Sequence, residues 1–169
     1  MTTRLLSALL FGTALAFAPP ALAGPGHDGG TAYGRPGDPA KITRTVTIVA
    51  TEIAYDKAAL SFKTGETVKF ILANKGEQDH ELTIGDAAMQ AEHSKMMEQM
   101  AAMPGMDHGA MGRGDMAMGG HEMHGNSVDT APGETKELVW QFTKPGTFEF
   151  VCNYPGHAEV GMTGTITVQ

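Results

Sequence analysis

Near its C-terminus the chain runs Gly146-Thr-Phe-Glu-Phe-Val-Cys152-Asn-Tyr-Pro-Gly-His157-Ala-Glu-Val-Gly-Met162-Thr-Gly-Thr-Ile-Thr-Val168. Side chains alternate across a strand, so Phe148, Phe150 and Cys152 share a face. Met162, Gly164, Ile166 and Val168 share another. Two strands therefore flank a loop that opens on the only cysteine of the chain. Four residues separate that Cys from His157, and four more separate His157 from Met162.

Two His and one Cys with a weak axial Met are the ligands of a blue-copper electron-transfer site. The loop supplies all but one His, and His80 is the best candidate for the missing one. It opens an apolar alternation, His80-Glu-Leu-Thr-Ile84, after a polar turn, Asn74-Lys-Gly-Glu-Gln-Asp79. The alternative is a buried structural Cys, a surface His and a core Met in this order by chance; strand context and spacing together argue against it. Zinc fits less well, because a structural zinc site takes four strong N/S ligands and a thioether is a poor one.

On His80 and the Cys152-x4-His157-x4-Met162 loop with its internal Pro155-Gly156, the chain resembles the cupredoxin family over roughly residues 41–85 and 127–169. The spacing looks like the longer-loop, rusticyanin-like members. The resemblance implies one type 1 copper centre at His80, Cys152, His157 and Met162, with the loop His near the surface as the usual exit for the electron. Many members carry Asn or Ser after the first His, and that side chain pins the segment after the Cys. Here the position is Glu81, and Asn153 follows the Cys. Glu81 and Asn153 are expected to share that task with reversed polarity, an acceptor where a donor is usual.

The N-terminus reads as a secretory leader. Arg4 precedes a 14-residue apolar run from Leu5 to Ala18, then Pro19-Pro20-Ala21-Leu22-Ala23, which is a charged region, an apolar region and an Ala-x-Ala cleavage site. The run is short for a bilayer span. Cleavage leaves 146 residues of the 169, enough for one domain with a real core, exported to a bacterial periplasm with no remaining membrane span. Losing Arg4 moves the formal charge from −7 to −8. Such an acidic chain is a poor nucleic-acid binder and suits a basic partner. A lone Cys in an oxidising compartment forms no internal disulfide, and a bound metal protects it. Residues 24–40, with six Gly and three Pro, read as a flexible arm. Residues 41–169 form the single cupredoxin domain, with an insert at 86–126.

Period-two alternation marks strands at Val46–Ala50, Val68–Leu72, His80–Ile84, Leu138–Phe142, Gly146–Cys152 and Met162–Val168, and Tyr55 to Leu60 reads as a short turn or helical piece. Together with the resemblance, this predicts an all-β fold: a cupredoxin-like Greek-key β-sandwich with a partly helical, partly flexible Met/His-rich insert. Residues 86–126 hold ten of the twelve Met and four of the seven His. The spacing predicts a helix from Asp86, its N-cap, to Met103, with Met89, His93, Met96, Met100 and Met103 on one face. That face serves equally as a packing face or a copper-binding face. From Gly105 to Gly125, seven Gly separate Met106, His108, Met111, Met116, Met118, His121, Met123 and His124. A Gly-rich loop buries little, so these are read as Cu(I) and Cu(II) ligands.

No P-loop, four-ligand zinc pattern, Ser-His-Asp order or nucleotide-binding glycine signature is present, and the chain is expected not to be an enzyme, beyond a minor cuprous oxidase activity. Two functions follow. One is a periplasmic blue-copper protein for copper tolerance, binding copper ions and handling their redox state. The other is an electron carrier whose insert docks a redox partner, such as a c-type cytochrome or a copper oxidase. A monomer is expected.

Overall fold

A computed structural model describes residues 31–103 and 125–169. Among the described residues, nine strands build two sheets facing each other. They are β1 (Arg35–Pro36), β2 (Arg44–Ala50), β3 (Ala59–Phe62), β4 (Thr67–Asn74), β5 (His80–Gly85), β6 (Ser127–Thr130), β7 (Thr135–Gln141), β8 (Gly146–Val151) and β9 (Thr163–Val168), with an α-helix, α1 (Ala87–Ala101), between β5 and β6 and a single 3-10 turn at Pro39–Lys41 between β1 and β2. One sheet has the order β1-β7-β4-β2 and the other β3-β9-β8-β5-β6. The pairs β2/β4 and β3/β9 are parallel and the remaining pairs antiparallel. This is the expected all-β sandwich.

The inward residues are those that the alternation selects. Val46, Ile48 and Ala50 of β2, Val68, Phe70 and Leu72 of β4, Leu82 and Ile84 of β5, and Leu138 and Trp140 of β7 are all buried. Phe62 stacks on Phe142 with ring centroids 4.9 Å apart, and Phe70 meets both rings edge-on. Burying such side chains contributes about 1.5–3 kcal/mol each, and this cluster joins β3 of one sheet to β4 of the other.

One expectation needs correction and another is narrowed. The arm over 24–40 was read as flexible, yet its described part, residues 31–40, is docked. Tyr33 is buried and stacks on Trp140. Its carbonyl accepts the Trp140 indole N–H at 2.9 Å, and β1 pairs with β7. A Gly/Pro-rich composition concealed one aromatic anchor. Of the two alternatives for Tyr55–Leu60, a short turn or a helical piece, the helix is absent: Tyr55 bridges back to Ala50, and β3 starts at Ala59.

The helix matches its expected start. Asp86 is the N-cap, and its carboxylate accepts from the Met89 amide at 2.9 Å. α1 then runs back along the outward face of β5, opposite to the strand's direction. Met89 lies against Gly85, where an added Cβ would sit 1.8 Å from the Met89 methyl. Gln90 reaches Thr83, and His93 reaches Glu81. This cover explains why all six residues of β5 are buried: the inner face packs on the opposite sheet and the outer face on the helix. The packing residues are Met89, Gln90 and His93. Met96 and Met100 are only part-buried and Met103 is half exposed, so only the first part of the stripe, Met89 and His93, packs on the sheet.

Candidate metal centre

His80 is the first residue of β5 and shares its inward parity with Leu82 and Ile84. The preceding turn is tied down by Asn74, whose amide N–H2 donates to the carbonyls of Gln78 and Thr130 and whose Oδ1 accepts from the Gly76 amide. Cys152 follows β8 directly and is fully buried. Its amide donates to the Met162 carbonyl at 3.1 Å, and the Met162 amide to the His157 carbonyl at 3.0 Å. The loop thus closes on itself. Gly156 takes φ +88°, a region that L side chains avoid, so Pro155-Gly156 can turn the chain and bring His157 back toward the Cys.

The result is a cluster. The ligand atoms of His80, Cys152 and His157 all lie within 4.8 Å of one another, and all three residues are buried. The Cys152 Sγ is 3.3 Å from His157 Nδ1, and the two imidazoles have centroids 5.3 Å apart. The other His157 nitrogen, Nε2, faces the exposed Gln78 side chain at 3.3 Å. Met162 is buried in the hydrophobic core cluster that also holds Cys152.

The chemistry of these donors fits a copper ion. Buried polar atoms almost always have hydrogen-bond partners, yet both ring nitrogens of His80 have none. A lone pair aimed into a closed site has an obvious use as a metal ligand. Burial lowers both imidazole pKa values, helped at His80 by the neighbouring His157, so the rings stay neutral and able to coordinate. Burial pushes the Cys152 thiol up to about 12 without a metal; a coordinating cation reverses that, since it holds a thiol deprotonated.

Around the sulfur the chain supplies fixed donors. The Glu81 amide points at Sγ from 3.4 Å. Tyr55 donates its hydroxyl to the Glu81 carbonyl and packs on Phe150. The Glu81 carboxylate is buried and accepts three times: from His93 Nε2 at 2.7 Å, from the Ser127 hydroxyl at 2.7 Å and from the Asn153 amide at 3.2 Å. Burial acts to raise the Glu81 carboxyl, but the His93 hydrogen bond and charge outweigh it, so the net direction is down. At His93 burial acts downward and Glu81 prevails, so the net direction is up.

The expectation for Glu81 holds on the acceptor side, since its carboxylate grips the main chain just after Cys152. Asn153 does not return the contact: its side-chain amide donates to Gln90 Oε1 at 3.0 Å. His93 is not the copper ligand that its place among the methionines suggests: its Nε2 is committed to Glu81, and the ring is buried and does not belong to the His80–Cys152–His157 group. Met89 is partly buried and packs against the core. Met96 and Met100 are part-exposed on α1, whereas Met106, His108, Met111, Met116, Met118, His121, Met123 and His124 lie outside the described residues. Sequence reasoning missed Gln78, Gln90 and Ser127. A polar residue next to a ligand turn was the only hint for Gln78.

The plastocyanin/azurin family of copper-binding proteins matches residues 42–169. A copper-resistant cuproprotein, CopI, of Pseudomonas aeruginosa is 42% identical over 178 aligned residues, covering 98% of this chain and 97% of the relative. CopI of Rubrivivax gelatinosus is 39% identical, with both chains covered in full. Auracyanin B shares the fold at TM-score 0.60 and 21% identity, over 80% of this chain and 96% of that one. With one copper centre at a His-Cys-His site and a cupredoxin sandwich around it, the chain belongs to the plastocyanin/azurin family of copper-binding proteins.

Proposed function

We propose that this chain is an exported copper-tolerance protein of the periplasm, which binds copper at a blue-copper centre and handles its redox state. The observation that carries the reading is the buried His80–Cys152–His157 set, in a chain whose near-full-length relatives are named copper-resistant cuproproteins. His80 and His157 would offer copper neutral nitrogens, Cys152 a thiolate and Met162 a thioether sulfur. Copper held there supplies a one-electron couple. The chain's own part is to hold the donors still: β5 fixes His80, and the self-bonded loop fixes the other three. Backbone bonds to the sulfur and the apolar shell tune such a site.

The leader at 1–23, outside the described residues, accords with export. Among the described residues no helix is long and apolar enough to cross a membrane. Met96, Met100 and the Met and His of residues 106–124 are soft ligands for exchangeable Cu(I). The reading requires binding and electron movement, with no catalytic turnover and a monomer sufficient. A redox partner such as a c-type cytochrome or a copper oxidase would meet the His157 edge beside Gln78.

A deletion strain tests it. Loss of the gene should make cells copper-sensitive while respiratory growth continues. Normal growth in high copper, with failure of an electron-transport pathway, would transfer the case to the electron-carrier reading.

A further inference from the structure

In a two-sheet sandwich the outward side chains of β5, Glu81 and Thr83, would face water. Here they face α1, and the contact is polar. Gln90 donates its amide N–H2 to the Thr83 carbonyl at 2.8 Å and accepts the Asn153 side-chain amide at 3.0 Å. One turn on, His93 meets the Glu81 carboxylate. Gln90 and His93 are the two buried residues of the helix.

Both contacts converge on one short piece of chain. Asn153 is gripped through its main chain by Glu81 and through its side chain by Gln90, and it is covalently next to Cys152. Glu81 in turn aims its own amide at the Cys152 sulfur. A displacement of either helix residue therefore reaches the thiolate through a single intermediate side chain. Buried polar networks of this kind define a unique geometry when every member is satisfied, and the Glu81 carboxylate has three donors for its two oxygens.

We propose that α1 is a clamp on the copper loop, with Gln90 and His93 as positioning residues that fix the Cys152 sulfur and the segment after it. The start of the Met- and His-rich insert is thereby part of the metal centre's supporting structure. The proposal rests on the copper-centre reading for its spectroscopic consequences and stands without it for the metal-free protein.

The test compares the full-length purified protein with His93→Leu, His93→Gln, Gln90→Met and, as a packing control on the same helix, Met89→Ala. In the copper-loaded proteins the thiolate-to-copper absorption band and the reduction potential are recorded. In the metal-free proteins the readouts are the labelling rate of Cys152 by a thiol reagent and the hydrogen exchange of the Asn153 amide. His93→Leu and Gln90→Met should shift the band and potential and speed both labelling and exchange by about tenfold or more. His93→Gln, which keeps a donor for Glu81, should restore most of the wild-type values, and Met89→Ala should lower the melting temperature without moving the band. Should His93→Leu fail to fold, Gln90→Met and His93→Gln decide the matter. Unchanged band, potential, labelling and exchange in Gln90→Met and His93→Leu would overturn the clamp, as would equal changes in Met89→Ala. If the wild type takes up copper without a thiolate band, the copper-centre reading fails, and labelling and exchange still judge the clamp.

Discussion

The Glu81 amide points at the Cys152 sulfur across 3.4 Å, so the residue that follows one ligand holds the atom of another. The two ligands are 72 positions apart in sequence, and β5 and β8 bring them together as neighbours in one sheet. Rigidity at the centre is therefore a property of sheet pairing, not of the loop alone.

Cys152→Ser should remove the thiolate-to-copper band while leaving the sandwich folded, because the exchange keeps the size of a fully buried side chain. A band surviving in that variant, in absorption spectra of the copper-loaded protein, would sink the ligand assignment.

His80→Leu makes the opposite test of the same site. The two His80 ring nitrogens are buried without partners, and a buried unsatisfied polar group costs about 1–3 kcal/mol. The metal-free variant should be more stable than wild type by roughly 1 kcal/mol in denaturant melts. Copper, which stabilises a protein that binds it only when folded, should no longer raise the midpoint.

Glu81→Ala strands the His93 ring, the Ser127 hydroxyl and the Asn153 amide together. Breaking a buried charged pair by deleting one partner costs about 3–5 kcal/mol, and losing such a support around a metal lowers affinity about 10–100-fold. Urea melts and copper titration against a competing chelator measure the two effects. Glu81→Gln, which keeps the shape and one acceptor, should fall between wild type and alanine in both.

Asp129 sets a pH dependence. Burial, with the Glu81 charge beside it, raises its carboxyl from the ordinary 3.8 to about 7. The folded state then binds a proton that the unfolded chain releases near its ordinary value, so ionising Asp129 destabilises the fold as pH rises from about 4 to 7. Asp129→Asn should accordingly stabilise the metal-free protein at pH 8, by about 2 kcal/mol after allowing for partial exposure. The gain should shrink below pH 7 and vanish near pH 4. A gain that is constant across melts from pH 4 to 8 would contradict the assignment.

Much of the centre was readable because its information is local. Cys152, His157 and Met162 sit in one loop, and the alternation Phe148-Phe150-Cys152 already tells which way the thiol faces. His80 was reachable because a strand that starts on a histidine repeats its parity at Leu82 and Ile84. The supporting residues were not. The four-and-three spacing puts His93 on a face with Met89, Met96 and Met100, and among methionines an imidazole looks like another soft ligand. A one-dimensional period cannot say that Glu81 lies beneath it. Tyr33 failed for a related reason: its single aromatic contact with Trp140 outweighs the Gly and Pro around it, and composition averages such a contact away.

The direction of α1 sets the length of chain that its continuation needs. The helix passes Gly85, Thr83 and Glu81 in turn, and the eight residues from His93 to its end at Ala101 carry it about 12 Å further at 1.5 Å per residue. The chain returns at Gly125, beside Pro36, and Asn126 bonds to Ile84, at the opposite end of β5. The three strand steps from Glu81 to Ile84 add about 10 Å. A connection between these points must cover roughly 22 Å, which takes at least about seven fully extended residues. A relaxed Gly/Ser chain, spanning about 5–6 Å times the square root of its length, needs about 16. A truncation of residues 102–124 to fewer than seven would pull α1 off β5, and any loss of copper would then report a broken lever arm rather than missing methionines. The deletion that isolates the ligands of this segment is one that keeps its length.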